Sequence, residues 1–216
     1  MAAQHGSAKA VLVLVEAVEV TPDGRVRRIA NDVLASLRHP ATIDALCALW
    51  AAARREDLAA AIVQHGYVAA QPIDVRVLSA LAADRGDLLV HDAETIGATI
   101  DALTDANAEI ANRARLTLRQ LVDPAATDAL CARVIATGDE HASEIAVTAG
   151  YAPREPTARA LFFFLTHQFE SYAGLDFDQA HLRAAYETAT ADLRRRIAEV
   201  ARVSGRIEWV HVVAWG

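Results

Sequence analysis

The chain has 216 residues, of which 53% are apolar and 23% charged, and its formal net charge is −7. These values are ordinary for a folded globular protein with a substantial core, and they exclude a disordered chain. With ten glycines and six prolines beside abundant alanine, the composition favours helices over strands. The acidic balance argues against nucleic-acid binding, which usually needs a basic surface.

Residues 8–20 predict a first helix, which the turn at residues 21–24 ends. The apolar run 10–15 in this helix is short and is followed by Glu16 and Glu19, so it indicates a helix of the fold and not a signal peptide. No stretch of the chain approaches the ~18 apolar residues that a membrane span requires. We therefore expect a cytoplasmic protein without a membrane contact.

Further helices follow at helical spacing of the apolar residues, over about 24–38, from Pro40, and over about 55–65. Proline suits the first turn of a helix because the N–H there has no partner within the helix. Gly66 is placed to end the fourth helix in a left-handed conformation. Pro72 begins the next helix, and a second series begins near Asp92, a predicted N-cap.

The stretch from Pro40 to Pro72 recurs without a gap at Pro124 to Pro156, 84 residues later. Both copies contain Asp-Ala-Leu-Cys-Ala and Gly-Tyr. A fixed long period predicts tandem helical repeats. Each shared residue has a structural reason, and Cys47 and Cys131 are predicted to be small buried apolar residues. We expect functional positions where the copies differ and at the C-terminal edge.

The C-terminal part departs from this period. Two helices are predicted over about 177–189 and 190–203, after an apolar helix that Pro156 opens. The tail 207–216 is rich in valine and tryptophan, which is unusual for a solvated chain end. It is expected either to dock on the last helices or to begin a contact with a partner.

The helix pairs around Val15–Leu34 and Ile100–Leu118, with the turn Asp23–Arg27, resemble HEAT repeats. The longer unit is similar to HEAT-like segments of large bacterial multidomain proteins. The resemblance implies an all-α fold, an α-α superhelix (an ARM/HEAT-like solenoid) of stacked antiparallel helix pairs. We predict one domain over 1–216, made of a first unit (1–91), a second unit (92–175) and C-terminal helices with an apolar tail (176–216). Proteins of this family usually act by protein–protein interaction, so the resemblance implies a non-catalytic scaffold.

The chain has no recognisable catalytic or phosphate-binding motif, and its eight histidines are scattered. We therefore predict no metal, no cofactor and no catalytic residue. Two groups of side chains are predicted to contact a partner, the arginines and tryptophans of the C-terminal edge and a smaller cluster on the third helix. The group at the C-terminal edge consists of Trp209, Trp215, Arg194, Arg195, Arg202 and Arg206. The cluster on the third helix consists of Trp50, Arg54 and Arg55.

Two functions are favoured by these features over a third, a HEAT-like tetrapyrrole-attachment lyase, which no motif supports or excludes. The first is a scaffold that binds a protein partner or further domains of a larger protein. The alternative is a HEAT-fold nucleic-acid-binding protein or a DNA glycosylase-like enzyme, for which Trp50 with Arg54 and Arg55 supplies the only aromatic and basic cluster. The net charge of −7 makes nucleic acid the weaker prediction.

Overall fold

The computed structural model describes residues 8–214 and is all-α, as predicted, with no strand in that range. The first seven helices are α1 (Ala8–Val20), α2 (Gly24–Ala35), α3 (Pro40–Ala53), α4 (Glu56–His65), α5 (Ile73–Ala82), α6 (Ile96–Asp101) and α7 (Ala108–Arg119). The others are α8 (Pro124–Thr137), α9 (Glu140–Thr148), α10 (Pro156–Leu165), α11 (Phe169–Leu175), α12 (Ala180–Thr188), α13 (Ala191–Ser204) and α14 (Ile207–Ala214). No helix within 8–214 is long and apolar enough to cross a membrane.

The contacts divide the chain into two compact units. Unit 1 contains the described residues up to Val90 together with Ala98–Thr117. Unit 2 contains His91–Gly97 and the described residues from Leu118 onward.

In unit 1, α3 is the central helix and packs against α1, α4 and α5. Its buried face includes Leu46, Cys47 and Trp50. Several hydrogen bonds hold the loop after α4, and two of them connect it to α2 and α3. The Tyr67 hydroxyl donates to the carbonyl of Leu34 at 3.1 Å, and the carboxylate of Asp44 accepts from the N–H of Ala70 at 2.6 Å.

In unit 2, α10 is the central helix and is surrounded by α8, α11, α12 and α13, as expected for a helix that is apolar on nearly every side. The Phe164 ring on this helix meets Tyr172 of α11 edge to face, with 5.1 Å between the ring centres. It also meets Trp209 of α14 at 5.3 Å. Offset aromatic contacts of this kind stabilise a core beyond the area that they bury.

Residues 207–214 of the tail form the helix α14, which docks on unit 2, one of the two outcomes expected from the sequence. Trp209 is only 2% exposed and Val212 only 5%, so both belong to the core. The Trp209 side chain therefore stabilises the unit and is not available to a partner. Trp215 lies outside the described residues.

The structure differs from the sequence predictions at two helix starts. The helix predicted from about 177 begins at Ala180, because the buried carboxylate of Asp176 accepts the N–H groups of His181 and Leu182, each at 2.9 Å. In place of the single helix predicted after Asp92, the structure has the six-residue helix α6 with a 3-10 turn on each side of it. Gly97 and several β-branched residues lower the helix propensity there.

We predict that Trp209→Ala strongly destabilises unit 2. Removal of a buried tryptophan costs about 3–5 kcal/mol of unfolding free energy. The exposed neighbour Val210, changed to alanine, is the control and should cost about 0.5 kcal/mol or less. Guanidinium chloride unfolding followed by circular dichroism measures both. Equal unfolding midpoints for the two variants would contradict the docked tail.

We also predict that both thiols are inert in the folded protein. Cys47 and Cys131 are fully buried, as the repeat predicted, and their burial raises the pKa of the thiols to about 11 and about 12, respectively. At about pH 8, where an ordinary thiol is partly ionised, neither should react with a disulfide reagent. Both should react after denaturation, and rapid labelling of the native protein would refute their burial.

Candidate interaction groove

A groove of about 720 Å³ opens on the surface of unit 2. It is lined by residues of α9 and α13, which we call its walls, and by the C-terminal ends of α8 and α10, which we call its floor. The α10 end contributes Leu165, Thr166 and His167. His167 is in a left-handed conformation with φ of 60°, immediately after the helix ends.

Each wall is one face of a helix. The α9 wall consists of Glu140, Ser143, Glu144 and Val147, and the α13 wall consists of Arg196, Glu199, Val200 and Val203. Both sets have the spacing i, i+3, i+4, i+7, which brings side chains onto a single face over two turns. Both walls also end in a valine that remains exposed, 37% for Val147 and 63% for Val203. The groove therefore presents carboxylates together with unburied apolar surface.

Arg196 ties the α13 wall to the floor. Its guanidinium donates to the carbonyls of Ile135 at 2.7 Å and Val134 at 3.2 Å, at the C-terminal end of α8. The Val134 carbonyl also accepts the N–H of Gly138 at 2.9 Å. Carbonyls in the last turn of a helix have few partners within it, and a positive charge is favourable at this end of the helix dipole. Burial lowers the pKa of Arg196, an effect that Asp192 opposes and Arg195 reinforces.

Gly138 leaves room for this contact. It ends α8 in a left-handed conformation, with φ of 68°. A Cβ added there would lie 2.8 Å from the Cζ and Nε atoms of Arg196. The first copy of the repeated stretch has Arg54 at the same position, also left-handed with φ of 51°. The two copies therefore differ in sequence at this position while sharing its backbone conformation.

The three glutamates of the groove carry no salt bridge within the part of the chain that the structure describes. No hydrogen bond occupies the Glu140, Glu144 or Glu199 carboxylate there. Arg195 lies near enough to Glu199 to interact electrostatically, but its guanidinium is hydrogen-bonded to Asp192. All three glutamates are exposed and remain available to a ligand.

The arginines predicted at the C-terminal edge have different environments. Arg194 donates to the carbonyls of Tyr186 and Glu187 at the end of α12, at 2.9 and 2.6 Å. Arg195 pairs with Asp192. Arg206 lies over the Trp209 ring at 4.7 Å, and Arg202 is exposed. These side chains therefore do not form one free basic surface, and none of the four lines the groove.

The cluster predicted on the third helix lies in unit 1. Trp50 is buried, with 3% exposure, and the guanidinium of Arg54 lies 5.2 Å from its ring centre. Arg54 also pairs with Asp105 at 2.7 Å. Arg55 pairs with both Glu19 and Asp57 at 2.7 Å, and its hydrogen bond with Asp57 raises the pKa of Arg55. The structure brings Trp50 and Arg54 into contact, and each of the two arginines is paired with a carboxylate.

Sequence reasoning did not identify the groove residues. Glu140, Glu144 and Glu199 were indistinguishable from the ordinary polar faces of amphipathic helices. The one available signal was a valine three or four residues after a glutamate on each helix, Val147 after Glu144 and Val203 after Glu199. Among residues 8–214, no group of three or more His, Cys, Asp or Glu side chains is arranged to hold a metal ion.

We predict that Gly138→Ala is more destabilising than Gly150→Ala. Both glycines have a positive φ, which costs an alanine about 1 kcal/mol, but a Cβ at Gly150 would meet nothing within 4 Å. At Gly138 the new Cβ displaces Arg196 from its carbonyls and adds about 1–3 kcal/mol. In a double-mutant cycle, Arg196→Ala should remove this additional cost. An unchanged difference between the glycine variants would disprove the coupling.

The chain matches no protein-family model, no curated protein and no solved structure. Its function is therefore inferred from its own geometry. The feature with the most specific chemistry is the groove of unit 2, where two helix faces present exposed valines beside carboxylates that have no salt-bridge partner among the described residues.

Proposed function

We propose that the chain is a non-catalytic, ARM/HEAT-like helical-repeat scaffold that binds a protein partner, or another domain of a larger protein, in the groove of unit 2. The observation that carries this proposal is the pair of helix faces on α9 and α13 with exposed Val147 and Val203. A cytoplasmic location is part of the same proposal. It is supported by the two free, buried cysteines, since disulfides are typical of oxidising compartments.

The repeat part of the proposal is supported by helix positions that correspond at an offset of 84 residues. The limits of α2, Gly24–Ala35, correspond to those of α7, Ala108–Arg119. Those of α3, Pro40–Ala53, correspond to those of α8, Pro124–Thr137. Stacked helix pairs of this kind bury a continuous core and leave an extended surface for partners.

Hydrogen bonds recur at the same offset. Asp44 accepts the N–H of Ala70, and Asp128 accepts the N–H of Arg154 at 2.9 Å. The repeated Asp-Ala-Leu-Cys motif thus holds the segment before the following helix in each copy. This recurrence supports a tandem scaffold, in which each repeated polar residue serves the fold.

The groove favours a protein ligand because of its shape. A gap between two helix faces accepts a third helix, whose apolar side chains at i, i+3, i+4 and i+7 pack between the walls. Seven residues of a helix rise about 10 Å, so each wall offers about two turns of contact. Burial of one exposed valine in such a contact contributes about 1.5–3 kcal/mol at most.

The alternative, nucleic-acid binding or a DNA glycosylase-like activity, has less support. It needs a free basic groove with accessible aromatic rings. Trp50 is buried, and Arg54 and Arg55 are paired with carboxylates. The groove of unit 2 carries three glutamates, which would repel a phosphate backbone. We therefore favour a protein partner.

The proposal is tested by selecting peptides from a display library on the full chain. We expect selected peptides to lose at least about tenfold in affinity for the variant Val147→Gln/Val203→Gln, because two apolar contacts disappear without a change in charge. Fluorescence anisotropy of synthetic peptides measures this loss. Glutamine is a good helix former, so the helices should persist, and circular dichroism checks this.

The matched control is Val63→Gln/Val20→Gln, which changes two valines on helices of unit 1 that are 53% and 77% exposed. Peptides should bind this variant as they bind the parent chain. Peptides that are insensitive to the groove variant, or equally sensitive to the control, would refute the groove as the binding site.

A further inference from the structure

We infer that the ligand of the groove is a cationic amphipathic helix of a partner protein, with apolar residues on one face and lysine or arginine beside them. This inference rests on the proposed function and specifies the chemistry of the partner. It follows from the charge of the walls, from the position of the valines and from the net charge of the whole chain.

The groove carries a net negative charge, because three glutamates line it beside the single guanidinium of Arg196. Glu140 and Glu144 stand on the α9 wall and Glu199 on the α13 wall, so carboxylates face the gap from both sides. The cation that lines it, Arg196, has donors engaged by two backbone carbonyls of α8. A ligand with lysine or arginine along both of its edges would meet carboxylates on both walls.

The apolar surface determines the shape of the ligand. Val147 and Val203 each lie at the last position of their wall, and Val200 lies beside the gap on α13. The carboxylates precede the valines along both helices. A suitable ligand helix therefore has an apolar stripe at i, i+3, i+4 and i+7 and positive residues flanking it. An uncharged apolar ligand would bury the glutamates without a partner, which is costly.

The net charge of the chain argues for a different molecule as the occupant. A second copy of this chain also carries −7, so like-charge repulsion opposes docking of an acidic surface into an acidic groove. A basic partner is instead attracted to the groove, because complementary charge accelerates association and fixes the orientation of the ligand.

The test uses a labelled synthetic helix of about 14 residues, with leucine at i, i+3, i+4 and i+7 and lysine elsewhere. Its affinity for the full chain is measured by fluorescence anisotropy. We expect binding that weakens as salt rises, and that falls about tenfold in the variant Glu140→Gln/Glu144→Gln/Glu199→Gln. Two further peptides serve as references, one with glutamate in place of lysine and one with the lysine–leucine order scrambled.

The control variant is Glu170→Gln/Glu187→Gln/Glu208→Gln, which removes the same charge from exposed positions that do not line the groove. It should change the affinity by no more than about twofold. The inference is overturned if the lysine helix does not bind, if the glutamate or scrambled peptide binds equally well, or if both triple variants bind alike. A dimer in light scattering that the groove variants dissociate would instead identify a second copy as the occupant.

The variant Val147→Gln/Val203→Gln distinguishes failure of the cationic-ligand inference from failure of the groove as a binding site. If Val147→Gln/Val203→Gln abolishes binding while the glutamate variant does not, the groove is a docking site and the partner need not be cationic. If neither set of substitutions alters the binding of any peptide, both the cationic ligand and the groove itself are refuted.

Discussion

The contact on which the groove depends is an arginine side chain from one helix bonded to the last carbonyls of another. Arg196 of α13 holds the end of α8 in this way, and Arg194 of the same helix holds the end of α12. In unit 1, Arg113 of α7 donates to the carbonyls of Leu81 and Ala82 at the end of α5. A helix end has four carbonyls without an internal partner and a partial negative charge, so a guanidinium satisfies both needs. The arginine also fixes where one helix ends relative to the next.

This use of arginine has a consequence for the surface of the protein. The cations that the sequence concentrates near the C-terminus are largely engaged with carbonyls, as in Arg194 and Arg196, or with a carboxylate, as in Arg195. Glu140 and Glu144 have no such engagement within the described residues. The exposed chemistry of the groove is therefore more acidic than the count of residues on α13 suggests. A basic run in a sequence can thus stabilise helix packing and leave an acidic site beside it.

The aromatic core of unit 2 packs against the side of α13 that faces away from the groove. Trp209 of α14 packs edge to face on Phe164 and Tyr172, and α14 packs on α13. Ile197 and Val200, on α13, belong to this core, while Val203 on the next turn is exposed to the groove. One helix therefore serves the core and the groove with adjacent faces. Packing on its inner face and the Arg196 contact at its side both hold α13 in place, which would reduce the entropy lost if the proposed ligand binds.

Interactions between residues close in the sequence determine much of the fold, and the sequence alone is enough to predict them. Proline at helix starts, glycine at helix ends and the apolar spacing predicted the all-α class, most helices and the burial of Cys47 and Cys131. The helical form of the tail and the burial of Trp209 depended on contacts with residues far away in the chain, which no local pattern encodes. The same holds for the groove. Whether a charged side chain is already bonded or still available to a ligand depends on which groups lie opposite it in space. Only the tertiary structure places Arg196 against the carbonyls of α8 and leaves Glu199 without a salt bridge among the described residues.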